Sequence, residues 1–315
     1  MDQVNHILVV VDPTVTGRQS AVEKALILAR YLGATVELLL CDIVPERNKR
    51  TLALSADKSN PAVTQYEDML TALSAPFRAQ DIKVSVQVVS GDSLHGAILQ
   101  YIRQSNATLV VKDTHHHSFA RRTFLRNTDW HLAHGCPVPL LLTKSNEWHT
   151  MPVIIAAIEP SHRKEDVTAL HRKILRCATS LAAYMTGELH VIHTYIPAAL
   201  AAATATEPLR MNPDLAGIPE CETSFRLGEL QSLARAYGVP ISRLHVEMGT
   251  PEHRLVDLVS EYEVAVMVIG ASSHGRWHRM IGGSTASSML ESLPCDILVV
   301  RPESSVIAAK TLARP

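Results

Sequence analysis

Hydrophobic and polar positions alternate along the chain in two recurring patterns. Short apolar runs such as His6–Val11, Ala107–Val111, Val153–Ile158 and Val264–Ile269 have the length of buried strands, and helix-length amphipathic stretches separate them. Gln19–Leu32 carries Val22, Leu26, Ala29 and Tyr31 among Glu23, Lys24 and Arg30. That spacing predicts a helix closed by Gly33. Further strands are expected at Thr35–Cys41, Ile82–Val89 and Val138–Thr143. Helices are expected at Asn60–Ala79, from Gly91-Asp92 through Ile102, and at Asn127–Gly135.

The second half replays this order. Val153–Ile158 runs into Glu159-Pro160 as His6–Val11 runs into Asp12-Pro13. Lys164–Met185 supplies the first helix, and Gly187–Thr194, Ile241–Met248, Val264–Ile269 and Asp296–Val300 supply the later strands. In Gly249-Thr250-Pro251, Thr250 is expected to cap a helix whose first position is Pro251. Gly91 and Gly249 lie 158 positions apart, and so do Lys112 and Gly270. A unit of about 150 residues is therefore used twice, as residues 1–146 and 147–315. Buried strands alternating with helices give a parallel sheet covered on both faces, with right-handed crossovers. The expectation is two doubly wound, five-stranded α/β domains in tandem. The halves differ most at Tyr195–Glu220, an alanine- and proline-bearing stretch that reads as a surface loop or as a lid over a ligand.

Composition narrows what such a chain does. Thirty basic residues face 31 acidic ones, with 4% aromatics, so neither the basic excess nor the stacking rings of a nucleic-acid surface are present. No nucleic-acid partner is expected. No run approaches the ~18–20 uninterrupted apolar residues of a membrane span, so stable membrane insertion is not expected either. The polar start Met1–His6 lacks the basic-then-apolar order of an export signal. Five scattered cysteines (Cys41, Cys136, Cys177, Cys221 and Cys295) form no C-x-x-C pair and suit a reducing compartment. Their apolar surroundings predict buried, inert thiols. These features together predict a cytoplasmic protein.

In open parallel sheets, ligands bind outside the carboxyl ends of the strands, near the reversal of strand order. The richest such segment runs from Ile269-Gly270-Ala271-Ser272-Ser273 to Gly282-Gly283-Ser284-Thr285. Glycines let the backbone approach an oxyanion, and a helix start offers free N–H groups and a positive dipole end to phosphate. Ser284 and Thr285 add hydroxyls, and His274, Arg276, His278 and Arg279 lie between. This segment resembles the nucleotide-binding signature of the universal stress protein family: a glycine, two residues, a glycine, nine residues, then glycine and serine or threonine. Gly270, Ser273 and Gly283-Ser284 fill those places. The run from Ser292 to Val300 is similar to the family's final turn and strand. Val111–His117 and Thr128–Leu132, with the duplication, are similar to its two-domain members.

The resemblance implies an adenine nucleotide alpha hydrolase-like fold and a stress-response regulatory role. It also implies a pseudo-dimer of the two halves in which Leu140–Thr143 pairs with Ile297–Val300. As cofactor it implies ATP or AMP in the second half. Gly270, Gly283, Ser284 and Thr285 would hold the phosphates, and Ile269 would lie beside the ribose or base. Glu159 takes the place of the family's usual aspartate, one methylene longer, and Ser273 replaces the second glycine. Both belong to the candidate set.

Half one keeps Asp12 but carries Lys112, His115 and Leu125-Arg126 where the glycines would stand. No phosphate cradle is expected there. His115-His116-His117 reads as a solvated loop rather than a metal site, because no carboxylate or thiolate joins it at a clear spacing. Arg121, Arg122 and Arg126 read as a solvated face, and Trp130 as packing in the core or between the halves. There is no G-x-S-x-G elbow, no G-x-G-x-x-G after the first strand and no Walker lysine. No catalytic residue is assigned, and ATP hydrolysis would be slow at best. Three functions remain open: a nucleotide-holding regulator, a carrier or sensor of an amphiphilic, lipid-like molecule, and an adaptor with no ligand. The amphiphile would place its head at Gly283–Thr285 and its tail under Tyr195–Glu220 or between the halves. Association of whole chains into a homodimer is also left open.

Overall fold

The computed structural model describes residues 4–15, 17–43, 61–114, 122–159, 165–197, 218–271 and 292–302. The chain divides into two compact units, residues 2–146 with 296–315, and residues 147–295.

In the first unit the chain passes through β1 (His6–Val11), α1 (Ser20–Leu32), β2 (Thr35–Ile43), α2 (Pro61–Arg78) and β3 (Val84–Gly91). It continues through α3 (Leu94–Gln104), β4 (Leu109–Asp113), α4 (Arg122–Gly135) and β5 (Leu140–Thr143). These five strands are parallel in the order β3-β2-β1-β4-β5, so strand order reverses between β1 and β4. The central strands are buried on both faces, as their unbroken apolar runs require: Ile7, Leu8 and Val9 are all fully enclosed. Gly33 ends α1 in the left-handed conformation, at φ 63°, and its N–H bonds the Ala29 carbonyl. Helix α3 starts later than the sequence pattern suggests. Gly91 closes β3, and the Ser93 hydroxyl caps α3 by accepting from the Gly96 N–H.

The second unit runs through β6 (Val153–Ala157), α5 (Glu165–Tyr184), β7 (Glu188–Tyr195), α6 (Ile218–Ala234), β8 (Leu244–Met248), α7 (Pro251–Glu261) and β9 (Val264–Gly270). Its strands are parallel in the order β9-β6-β7-β8. Helix α6 escapes a reading by periodicity because its apolar residues do not gather on one face. Phe225 is exposed, whereas Leu230 and Ala234 are buried. Ile241 belongs to a single 3-10 turn, Ile241–Arg243, and not to the strand that follows. Pro251 opens α7 as expected, but Thr250 does not cap it; its hydroxyl lies 2.8 Å from Nδ1 of His253.

The last strand, β10 (Asp296–Val300), packs in the first unit, antiparallel to β5. Ile297, Leu298 and Val299 stand opposite Leu142, Leu141 and Leu140, which is the pairing the family resemblance implies. A buried charge pair fastens the strand's first residue. Lys24 Nζ of α1 lies 2.7 Å from Asp296 Oδ2 and donates to the Lys144 carbonyl, also at 2.7 Å. The Lys144 N–H in turn donates to Asp296 Oδ1. Enclosing both charges is tolerable only because each meets an opposite charge and further hydrogen bonds.

Among the described residues, no helix is long and apolar enough to cross a membrane. Cys41, Cys136, Cys177 and Cys295 are buried as expected, while Cys221 on α6 is exposed. Burial pushes the thiols of Cys41 and Cys136 up to about 12, which keeps them protonated and unreactive.

Candidate functional site

The carboxyl ends of β6 and β9 bring Glu159, Ile269 and Gly270 of the candidate set to adjacent strands in the second unit. Ile269 is almost fully enclosed, and Glu159, two residues past β6, is half-buried. Gly270 has a packing reason to lack a side chain. A Cβ there would come within 2.8 Å of Leu170 Cδ2 and 2.9 Å of Ile174 Cδ1, both on α5. The glycine thus allows α5 to sit close on the sheet, whatever else it does. Ser273, Gly283, Ser284 and Thr285 lie outside the described residues, as do His274, Arg276, His278 and Arg279.

Two histidines that the sequence pattern did not single out frame Glu159. The Glu159 N–H donates to Nε2 of His171 on α5 at 3.3 Å. His171 is 5% exposed, and burial lowers its pKa to about 4. The neutral ring is therefore the form that accepts this bond. His193 of β7 places Nδ1 3.2 Å from the Ile158 carbonyl and Nε2 3.3 Å from a guanidinium nitrogen of Arg226 on α6. Arg226 also lies 4.7 Å over the Tyr195 ring and bonds Glu222 at 2.6 Å. The Tyr195 hydroxyl meets Thr223 Oγ1 at 2.5 Å. Helix α6 thereby closes the β7 side of this end of the sheet with charged and polar groups. No sequence pattern points to them, because the apolar residues of α6 are spread around its circumference. Of the Tyr195–Glu220 stretch expected as a loop, Ile218–Glu220 begin α6, while residues 198–217 lie outside the described residues.

The same end of the first unit is built differently. Asp12 spends a carboxylate oxygen on its own turn, accepting from the Thr14 N–H at 2.8 Å and the Thr14 hydroxyl at 2.7 Å. Lys112, where the motif's first glycine would be, is buried. Its ammonium lies 2.7 Å from Asp129 and donates to the Asp113 carbonyl. Asp113 Oδ1 accepts from the Ala21 N–H at 2.6 Å and from the Thr143 hydroxyl at 2.5 Å. Ala21 stands in the first turn of α1, so a carboxylate from β4 satisfies one of that helix's unpaired N-terminal N–H groups. In this half the end of β4 therefore carries a protein carboxylate engaged with α1 and β5.

His115–His117 lie outside the described residues, and the side chains of Arg121, Arg122 and Arg126 are likewise not described. Trp130 is half-buried rather than in the core, with its ring stacked on His134 at 4.3 Å and edge-on to His131 at 5.1 Å.

Comparison with known proteins agrees with this architecture. The model of the universal stress protein family matches residues 3–144 and again 166–301. Universal stress protein E of Escherichia coli K12 is 24% identical over 316 aligned positions, covering 96% of each chain. A protein of unknown function from Pseudomonas aeruginosa PAO1 shares the fold with a TM-score of 0.71, 24% identity and coverage of 98% and 97%. A universal stress protein from Archaeoglobus fulgidus superposes with a TM-score of 0.65 at 18% identity, covering 95% and 97%. Two tandem matches spanning most of the sequence, on a doubly wound scaffold, place this chain in the universal stress protein family.

Proposed function

We propose that this chain is a stress-response regulatory protein that holds one adenine nucleotide, ATP or AMP, in its second half without efficient turnover. Glu159 and Ile269 would flank the ribose and base, and Gly270, Ser273, Gly283, Ser284 and Thr285 would receive the phosphates. The observation that carries this reading is a contrast between equivalent positions. In the first unit, Lys112 and Asp113 fill the carboxyl end of β4 with charges. In the second, the positions 158 residues on are Gly270 and Ala271, whose side chains carry no charge. The same fold therefore supplies its own anion in one half and none from that position in the other. Neutral His171 and the His193–Arg226 arrangement give the second site a fixed polar border beside Glu159.

The test is identification of what the protein carries. Purified protein is incubated with ATP, freed of excess by desalting, denatured, and its released small molecules weighed by mass spectrometry. An adenine nucleotide in near-stoichiometric amount is expected. A lipid-like mass or an empty protein would overturn the reading in favour of the carrier or the adaptor.

A further inference from the structure

The first unit has a solvent-open cleft at the opposite end of its sheet, where β1 and β2 begin and α3 ends. It encloses about 570 Å³ and is lined by Asn5, His6, Thr35, Glu37, Tyr101 and the turn at Gln104–Asn106. That volume is in the range of small-molecule pockets. Every lining residue carries a hydrogen-bonding side chain. On β2 the alternate positions Val36, Leu38 and Leu40 are buried, so Thr35 and Glu37 share the other face, with His6 of β1 in register beside Thr35.

These side chains are held in a fixed order. The Tyr101 hydroxyl donates to Glu37 Oε1 at 2.7 Å, and His6 Nε2 lies 3.2 Å from Oε2. His6 Nδ1 lies 2.8 Å from the Thr35 hydroxyl, which donates to the Asn5 carbonyl. Burial, reinforced by Glu37, raises the Tyr101 pKa, so the phenol stays protonated and remains a donor. Among the described residues no lysine or arginine lines the cleft, so an anion such as phosphate meets no fixed positive charge there. The Glu37 carboxylate is already engaged by the Tyr101 hydroxyl and His6 Nε2, so a cationic ligand would have to displace them. What a ligand meets is a mixture of donors and acceptors: the side-chain amides of Asn5, Gln104 and Asn106, and the further lone pairs of the already engaged oxygens of Thr35, Tyr101 and Glu37. A hydroxyl group both donates and accepts, and planar amide and carboxylate groups suit neighbouring pairs of hydroxyls.

We propose that this cleft binds an uncharged, hydroxyl-rich small molecule of the saccharide class. The site is separate from the nucleotide reading and does not depend on it. Full-length protein would be titrated with glucose and with maltose, followed by calorimetry and backbone amide NMR, with glucosamine and glucose 6-phosphate as charged comparators. Saturable binding of a neutral sugar is expected, with shifts at Thr35, Glu37 and Tyr101. Tyr101→Phe and Glu37→Ala should each weaken it at least tenfold while their melting curves stay cooperative, Tyr101→Phe serving alone if Glu37→Ala fails to fold. No saturable binding of either neutral sugar overturns the proposal. Binding confined to glucosamine or to the phosphate ester does so too, as does unchanged affinity in folded variants.

Discussion

A few residues decide how the two halves differ. The sequence alone shows Lys112 standing in place of the motif's first glycine, with Asp113 beside it. It does not show what the two residues do, because their partners are far along the chain. Asp113 reaches back 92 positions to Ala21 and forward 30 to Thr143, and no local pattern encodes such pairs. His171 was equally hidden, since one histidine within an amphipathic helix carries no signal of its own. Its consequence is measurable. With a folded pKa of about 4 against 6.5 for the ordinary ring, the unfolded chain binds the proton more readily throughout that interval, so stability is full above pH 6.5 and falls with acid. His190 and His245 act in the same sense. Burial lowers both, and Arg243 adds to the effect on His190 while Glu188 opposes it; the neighbouring His190 adds to the effect on His245. At pH 5 His171 alone should cost roughly 2 kcal/mol. Melting temperatures recorded from pH 7.5 to 5 should drop accordingly, and His171→Gln should flatten part of that slope.

At the scale of elements, strands surrounded by unbroken apolar sequence were legible almost to the residue: β1 and β10 begin and end where the runs do. Helix α6 was not legible, because its apolar residues are spread around its circumference. The pairing of β10 with β5 is implied by the family resemblance and not by periodicity, which says nothing of which strands pair. The structure gives that pairing a physical anchor in Lys24 and Asp296, whose side chains are 4% and 0% exposed. Replacing one member strands the other as an uncompensated buried charge. Lys24→Met should therefore cost about 3–5 kcal/mol, read as a lower denaturant midpoint. Lys24→Met combined with Asp296→Leu should recover much of that loss, as the pair is exchanged for apolar contact. A single variant with wild-type stability would mean that the ion pair does not hold the strand in place.

For the molecule as a whole, one fold is used twice with unequal ends. Both halves were legible as α/β layers from their shared order of strands and helices, and the 158-residue offset aligned them. That alignment also locates the contrast between Lys112-Asp113 and Gly270-Ala271. If the second half alone holds a nucleotide, each chain has one site. Isothermal titration of the purified full-length chain with ATP tests this most directly, with Gly283→Val as the variant. One nucleotide bound per chain is predicted, with binding abolished in Gly283→Val while its circular dichroism is unchanged. No binding, two nucleotides per chain, or affinity that survives Gly283→Val would contradict it.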